Sequence, residues 1–358
     1  MKPFRHSDVG SCGHAHPDDD ETVRLKPPEK KQALLAGRRA WLAGLGVVGA
    51  GCLFIGARLL FRGTFAPPER PPEFMVRTAT EQEILHHSGG TGMTVFRFAD
   101  DRRVLVLDFA TLYQQGMMLD RVAALIEKAG VPRERVLTEA ELLAAIRAGG
   151  DTVGSYYYGH DYSAESLRRF FDLADREKIV LNFEEETLRR LLEQEGWFEP
   201  GARRGLISIP AVGANTLVTL SARSTILHHE LSHGVFFSDP DYARFVHRFW
   251  DTTLSGQERS AVRRFLGSEG YDMTYEELMY NEMQAYLMFT RDPEFFRPDL
   301  VGMTSEHLAE LQDEFLRGMP RGWLHDALAA TPVVVDGTVP GGTAAPASVR
   351  SVHRVRAG

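Results

Sequence analysis

Two histidines and a glutamate stand at a spacing that suits a metal ion with a base beside it. His229 and His233 are four residues apart and Glu230 follows the first of them, which gives the pattern H-E-x-x-H. Residues four apart lie on one face of a helix, so both imidazoles can bind the same ion. Glu230 is rotated by about 100° from His229. Its carboxylate would therefore lie beside the ion, where it can accept a proton from a water molecule.

The residues around this pattern predict a buried helix. They are mostly apolar, and Ser221 or Ser224 can cap the start of the helix. A core helix that carries histidines for packing is the alternative, but the pattern seldom arises by chance in a helical context. We therefore predict a Zn²⁺ site. If it is catalytic, it needs a third protein ligand and an open position for water.

Glu282 is the best candidate for the third ligand. It lies in a segment, 274–289, that is predicted to be a helix with Thr274 and Glu277 as its capping box and with one strongly apolar side. A buried carboxylate needs a cation or several hydrogen-bond donors. On its own, Glu282 would be better explained as a surface residue of an amphipathic helix. The histidine pair makes the ligand role the better interpretation.

Two other side chains could complete the site. Asp239 stands at the last position of the longer pattern H-E-x-x-H-x-x-G-x-x-H/D, but Phe236 replaces the glycine of that pattern. Asp239 is more simply explained as a helix cap. His247 is more simply explained as a surface histidine.

The two motifs His-Glu-Leu-Ser-His and Asn-Glu-Met-Gln-Ala resemble those of the gluzincin metallopeptidases. The resemblance covers roughly residues 205–290. It implies that His229, His233 and Glu282 hold zinc and that Glu230 is the general base of peptide-bond hydrolysis.

Hydrolysis also needs a donor for the negative charge that develops on the substrate oxygen. Some gluzincins have an acidic residue four positions after the glutamate ligand, where it orients a ligand histidine. Tyr286 stands at that position here, and we name it as the possible transition-state donor. The other candidates are Tyr275, Tyr280, His160 and His325.

An apolar segment near the start of the chain predicts a membrane anchor. Residues 40–57 carry no charge and Arg58 can reach the interface, so 40–61 can span a bilayer as one transmembrane helix. More lysine and arginine residues precede this segment than follow it, which predicts a cytoplasmic N-terminus. We therefore expect a single-pass membrane protein with an extracytoplasmic catalytic domain, periplasmic if the protein is bacterial.

Composition divides the rest of the chain. Residues 1–39 and 331–358 are predicted to be disordered tails, and 62–73 a Pro-rich linker. The fold class that we predict is α+β, a mostly helical zincin-like domain with a small sheet, preceded by the transmembrane helix. Its N-terminal α/β part covers 74–204, and its zinc-binding catalytic part covers 205–330.

Two short stretches outside the motifs could contact a substrate. Residues 205–210 end in Pro210, which predicts an edge strand or a strand end. An edge strand could hold an extended peptide by main-chain hydrogen bonds. The aromatic stretch 155–162 could line a substrate groove, although a strand edge or a packed loop is the favoured interpretation.

The overall composition limits the partners and the chemistry. The net charge of −8 argues against nucleic acid as a partner. Cys12 and Cys52 both precede the predicted domain, which therefore has neither a disulfide nor a thiol nucleophile. We predict a membrane-anchored zinc metallopeptidase that acts on a peptide or protein substrate, with zinc as its cofactor. The alternative is a non-catalytic, zinc-retaining binding or assembly module of the cell envelope.

Overall fold

The computed structural model describes residues 73–88 and 90–330, where eleven α-helices surround one five-stranded sheet. Strand β1 runs parallel to β2, β2 antiparallel to β3, β3 parallel to β5, and β5 antiparallel to β4, in the spatial order β1-β2-β3-β5-β4. The strands are β1 Val76–Ala79, β2 Met93–Phe98, β3 Val104–Phe109, β4 His160–Ser163 and β5 Gly205–Pro210.

The helices lie on both faces of the sheet and beyond one end of it. Helices α2, α4 and α5 cover one face, and α6 covers the other. The α-helices are α1 Glu81–Leu85, α2 Leu112–Ile126, α3 Glu139–Ala148, α4 Ala164–Glu177, α5 Phe183–Gln194, α6 Leu220–Ser238, α7 Pro240–Arg248, α8 Gly256–Ser268, α9 Glu276–Gln284, α10 Ser305–Gly318 and α11 Trp323–Ala330. Two π-helical turns, Phe249–Thr253 and Ala285–Phe289, follow α7 and α9.

Strand β3 is the centre of the sheet because it is apolar on both of its faces. Its alternate residues belong to two separate hydrophobic clusters: Leu105 and Leu107 pack on the α2 side, and Val104 and Val106 pack on the α6 side. All six residues of β3 are buried. A strand that is covered on both faces needs a nearly continuous apolar sequence.

Helix α6 lies unusually close to the sheet because two glycines face each other. A Cβ atom on Gly205 would lie 2.7 Å from the carbonyl oxygen of Gly234, and a Cβ on Gly234 would lie 2.8 Å from Val104 Cγ1. The absence of side chains at both positions lets the helix backbone approach the backbone of β5. The sheet therefore fixes the position of the helix that carries the H-E-x-x-H pattern.

Arg223 anchors the first half of α6. Its side chain is completely buried, and it donates to both carboxylate oxygens of Asp108 at 2.8 and 2.9 Å. It also donates to the carbonyls of Ile84, Leu85 and Pro210. All five N–H groups of the guanidinium thus have acceptors, which is the condition for burying this group.

The caps of α6 and α9 differ from those that the sequence predicted. Ser163, Asn182 and Ser255 cap the helices that follow them. Thr219, and neither Ser221 nor Ser224, caps α6 by accepting from the N–H of Ala222. The predicted capping box at Thr274 is also wrong, because Thr274 hydrogen-bonds to Asp272 and α9 begins after Tyr275.

Of the two alternatives predicted for 205–210, the edge strand is wrong and the strand end is confirmed, because β5 is an interior strand that ends at Pro210. β5 pairs with β3 on one side and with β4 on the other. Pro210 is compatible with this place because it is the last residue of β5 and lies opposite Phe109, the last residue of β3. In the described part of the chain, the edge strand nearest to α6 is β4, which overlaps the end of the aromatic stretch 155–162.

The prediction of a transmembrane helix is corrected by the structure. Among residues 73–88 and 90–330, no helix combines the length and the apolar character that crossing a membrane requires. This overturns the fold class that included a membrane helix, and with it the single-pass membrane localisation. The observed class is α+β with eleven α-helices and a five-stranded sheet in the described residues. The anchor at 40–61, most of the linker and both predicted tails lie outside the described residues.

Candidate metal centre

Helices α6 and α9 bring the three predicted ligands together. The Nε2 atoms of His229 and His233 are 3.1 Å apart, and each lies 3.9 Å from Oε2 of Glu282. Zinc bonds of about 2.1 Å in a tetrahedral site separate the ligand atoms by roughly 3.4 Å. The triangle formed by the three atoms has nearly this size, so these side chains can hold a metal ion.

Glu282 is buried without a compensating partner. Its side chain is 1% exposed, and neither of its oxygens accepts a hydrogen bond. Burial raises the pKa of Glu282 well above its usual value, and the carboxylates of Asp161 and Glu127 raise it further. An unpaired carboxylate in this position is costly to bury. A cation between Glu282 and the two imidazoles would remove that cost.

A threonine just beyond α9 fixes the tautomer of His229. The hydroxyl of Thr290 is 2.8 Å from Nδ1 of His229 and donates its own proton to the carbonyl of Ala285 at 3.0 Å. Because that proton is already used, the hydroxyl accepts one from Nδ1. The lone pair of His229 is therefore on Nε2, which faces Glu282.

His233 is oriented in the same sense by a carboxylate on β4. Its Nδ1 lies 3.5 Å from Oδ2 of Asp161, and the amide of Asn281 donates to that same oxygen at 3.0 Å. Nδ1 has no hydrogen-bond partner among the described residues, but the negative charge of Asp161 favours the proton on that side of the ring. The Nε2 lone pair then points at the centre.

Both imidazoles are in the form that binds metal. Burial lowers the pKa of His229 well below its usual value, and the neighbouring His233 lowers it further. Burial also lowers the pKa of His233, although Asp161 opposes the shift. Neutral histidine is the species that ligates a metal ion.

Glu230 lies beside the centre and is held by close contact with a glycine. Its side chain is 1% exposed, and its Oε2 accepts no hydrogen bond. A Cβ atom on Gly159 would overlap the Glu230 carboxylate, so the main chain just before β4 lies directly against this group. Burial raises the pKa of Glu230 well above its usual value, and the carboxylates of Asp161 and Glu127 add to the shift.

Asp161, Glu230 and His233 form a second group whose ligand atoms are close enough to hold an ion. The two groups share His233, which presents one ring nitrogen to each side. Sequence reasoning missed Asp161, because β4 and α6 are far apart in the chain and only the sheet brings them together. Thr290 was missed because its position depends on the π-helical turn at Ala285–Phe289.

Polar side chains tie α9 to α6 behind the ligands. Gln284 donates to Ser232 Oγ at 3.0 Å and accepts from the hydroxyl of Tyr242 at 2.7 Å. Ser232 in turn donates to the carbonyl of His229 at 2.6 Å. All of these groups are buried, so the network fixes the spacing of the two ligand-bearing helices.

Tyr286 contacts one of the ligand residues. Its ring packs edge-on against the ring of His229 with centroids 4.8 Å apart, and its buried hydroxyl has no hydrogen-bond partner among the described residues. Its role as a transition-state donor stays a prediction.

The other candidate donors and ligands lie elsewhere. The ring of His160 is on the opposite face of the sheet from Asp161, with Nδ1 3.1 Å from Ser208 Oγ. Asp239 caps α7, as the simpler interpretation predicted. The remaining candidates contact residues outside the centre: His247 contacts Glu277, Tyr275 contacts Arg133, Tyr280 contacts Trp250, and His325 contacts Arg321.

Comparison of the chain with protein-family models, with curated proteins and with solved structures finds no match. The resemblance to the gluzincins therefore rests on the two sequence motifs alone.

Proposed function

We propose that this chain is a zinc-dependent metallopeptidase of the gluzincin type. One observation carries the proposal: Nε2 of His229, Nε2 of His233 and the Glu282 carboxylate converge, and no donor from the described residues lies among them. A divalent cation satisfies three acceptors at this spacing. Two imidazoles and one carboxylate form a ligand set that suits zinc.

Glu230 supports a catalytic role in addition to metal binding. When bound, the zinc ion would supply a Lewis acid that polarises a substrate carbonyl and acidifies a water molecule. The Glu230 carboxylate is held against Gly159 and accepts no hydrogen bond at Oε2, so it is free to accept the proton from that water. It would then pass the proton to the leaving amine. We propose Tyr286 as the donor to the developing oxyanion.

The position of β4 favours an extended peptide or protein substrate. β4 is an edge strand of the described sheet and directly follows Gly159, which contacts Glu230. A peptide that paired with this edge would place its main-chain carbonyls next to the general base. We therefore assign to β4 the role that the sequence suggested for β5.

Metal content and cleavage test the two parts of the proposal separately. The full-length protein should contain one zinc per chain, and His229→Ala and Glu282→Ala should each lose it. Glu277→Gln, on the exposed side of α9, is the matched control and should keep the metal. If the wild-type protein retains no zinc after incubation with the ion, the proposal fails.

A Glu230→Gln variant distinguishes an enzyme from the non-catalytic, zinc-retaining module. It should keep zinc and lose cleavage of a peptide library by at least about a hundredfold, because the general base contributes ~10²–10⁴ in rate. A chelator should abolish cleavage by the wild type. A wild type that binds zinc and cleaves no peptide would support the module.

A further inference from the structure

The proposed function leaves one buried carboxylate of the centre without a role. Glu127 is the C-terminal cap of α2, and the residue is only 3% exposed. Its Oε1 accepts no hydrogen bond from the described residues. Asp161 orients His233, Glu230 is the proposed base, and Glu282 is the proposed ligand. Glu127 belongs to neither of the two ligand groups.

One set of contacts places Glu127 on the Tyr286 side of the centre. Its main-chain carbonyl accepts from the N–H of Asp272 at 2.8 Å. The next residue, Lys128, pairs with Tyr271 in an isolated β-bridge. Tyr271 lies close to Tyr286, whose ring packs edge-on against the ring of His229.

A second set of contacts places Glu127 on the Glu230 side. Its carboxylate lies close to Tyr157, and the Lys128 ammonium lies 4.4 Å from the centroid of the Tyr157 ring. Tyr157 stands two residues before Gly159, the residue that contacts the Glu230 carboxylate. The two sets of contacts converge, so Glu127 belongs to the wall of the centre.

The charges of the centre do not balance with zinc alone. Glu127, Asp161, Glu230 and Glu282 carry four carboxylates, and each has at most 8% of its residue surface exposed. A divalent ion and the ammonium of Lys128 compensate three of these negative charges. Burial and Asp161 together raise the pKa of Glu127 to about 8, which shows how poorly the fourth charge is accommodated. A second cationic group would stabilise it.

We propose that Glu127 binds an ammonium group of the substrate, either the free α-amino group of a peptide or the side chain of a lysine residue. This inference rests on the proposed function, because it names the substrates that the centre would prefer. An ammonium group next to an otherwise unpaired, buried carboxylate would contribute both affinity and selectivity.

Binding to an inactive protein tests the inference without turnover. The zinc-loaded, full-length Glu230→Gln variant is titrated with three matched short peptides: one with a free N-terminus and no lysine, one acetylated with a single lysine, and one acetylated without lysine. At least one ammonium-bearing peptide should bind about tenfold more tightly than the neutral one. Which of the two binds more tightly identifies the source of the ammonium group.

A second substitution assigns the preference to Glu127. Adding Glu127→Gln to the inactive variant should remove the difference in affinity, because the amide is neutral and of similar size. Adding Glu134→Gln, which removes one negative charge from an exposed residue, should leave the difference unchanged. Circular dichroism establishes that each variant is folded before it is titrated.

The outcomes separate this inference from the proposed function. If the neutral peptide binds as tightly as the other two, or if Glu127→Gln retains the preference, the inference is overturned. If the wild type cleaves none of the three peptides, the enzyme proposal loses support, and the binding comparison still decides the role of Glu127. Cleavage by the wild type with the same order of kcat/KM values would support both.

Discussion

Nδ1 of His229 and the hydroxyl of Thr290 are 2.8 Å apart, and this contact orients the ring of a proposed metal ligand. The π-helical turn Ala285–Phe289 makes the contact possible by widening the helix after α9. Without that turn, a residue eight positions beyond Glu282 would not face the same centre. Thr290 uses its proton on Ala285 and can only accept from the imidazole.

We expect Thr290→Val to weaken zinc binding by about ten- to a hundredfold, the range found when groups that orient metal ligands are removed. Valine has nearly the same shape but cannot accept the proton from Nδ1. Thr290→Ser keeps the hydroxyl and should restore most of the affinity. Competition with a chelator measures the three affinities. Equal affinities for the valine and serine variants would show that the hydroxyl does not orient His229.

Gly159→Ala should impair catalysis while sparing the metal. The added methyl group would overlap the Glu230 carboxylate and force the base away from its position, since the three atoms nearest to it all belong to Glu230. Displacement of a catalytic group by about 1 Å can cost roughly a hundredfold in rate. We therefore expect a large loss of kcat at unchanged zinc content.

Gly154→Ala is the matched control for this substitution. It lies in the same loop, and a Cβ there would make an ordinary contact of 3.5 Å with the main chain of Tyr113. Normal activity in this control, together with a loss in Gly159→Ala, would assign the effect to the contact with Glu230. If Gly159→Ala keeps its activity, then either Glu230 is not the general base or its displacement does not lower the rate.

The metal-free protein should become less stable as the pH rises from about 6.5 to about 8. Burial raises the pKa of Glu127 to about 8 and the pKa values of Glu230 and Glu282 well above their usual values. These carboxyls keep their protons in the folded state after the unfolded chain, with pKa values of about 4.3, has lost them. Each protonated carboxyl then reduces the free energy of unfolding by about 1.4 kcal/mol per pH unit.

The histidines limit this prediction to the upper part of the pH range. The pKa values of His229 and His233 are lowered in the folded state. Below about pH 6.5 these histidines therefore make the free energy of unfolding increase with pH, which opposes the effect of the carboxyls. Urea unfolding in the presence of a chelator measures the slope, and Glu127→Gln should reduce it. Zinc should reverse it, since the ion competes with protons for Glu282. A metal-free protein of constant stability between pH 6.5 and 8 would contradict the burial of ionisable carboxyls.

Arg223→Met should destabilise the fold strongly. It would leave the Asp108 carboxylate buried without its main partner, a change that typically costs about 3–5 kcal/mol. Arg263→Met is the control, because the Arg263–Glu276 pair is partly exposed and should contribute less than about 1 kcal/mol. Urea unfolding of both variants measures the difference. Similar losses in the two variants would mean that the buried pair contributes no more than a surface pair.

Local signals in the sequence predicted the helices well, because caps and apolar periodicity act within a few residues. The helix that carries His229 and His233 and the helix that carries Glu282 are both present as predicted. The cap of α6 was misassigned because Thr219 and the serines that follow it offer the same chemistry.

Features that depend on distant contacts could not be predicted in this way. The sequence of β5 does not reveal that β4 pairs with its outer side, since β4 comes more than forty residues earlier. The same pairing brings Asp161 to His233. His229, His233 and Glu282 could be proposed because the first two share one helix and the third has an apolar context that demands a partner.

The turn at 285–289 also makes the centre sensitive to chain length. A π-helical turn contains one residue more than an α-helix needs to follow the same path. Deleting any one of these five residues would allow regular α-helical bonding and rotate every later side chain by about 100° around the helix axis. Glu282 would stay in place while Thr290 moved away from His229. Single-residue deletions in this segment should therefore disrupt the contact between Thr290 and His229, whereas most single substitutions within it should leave that contact in place.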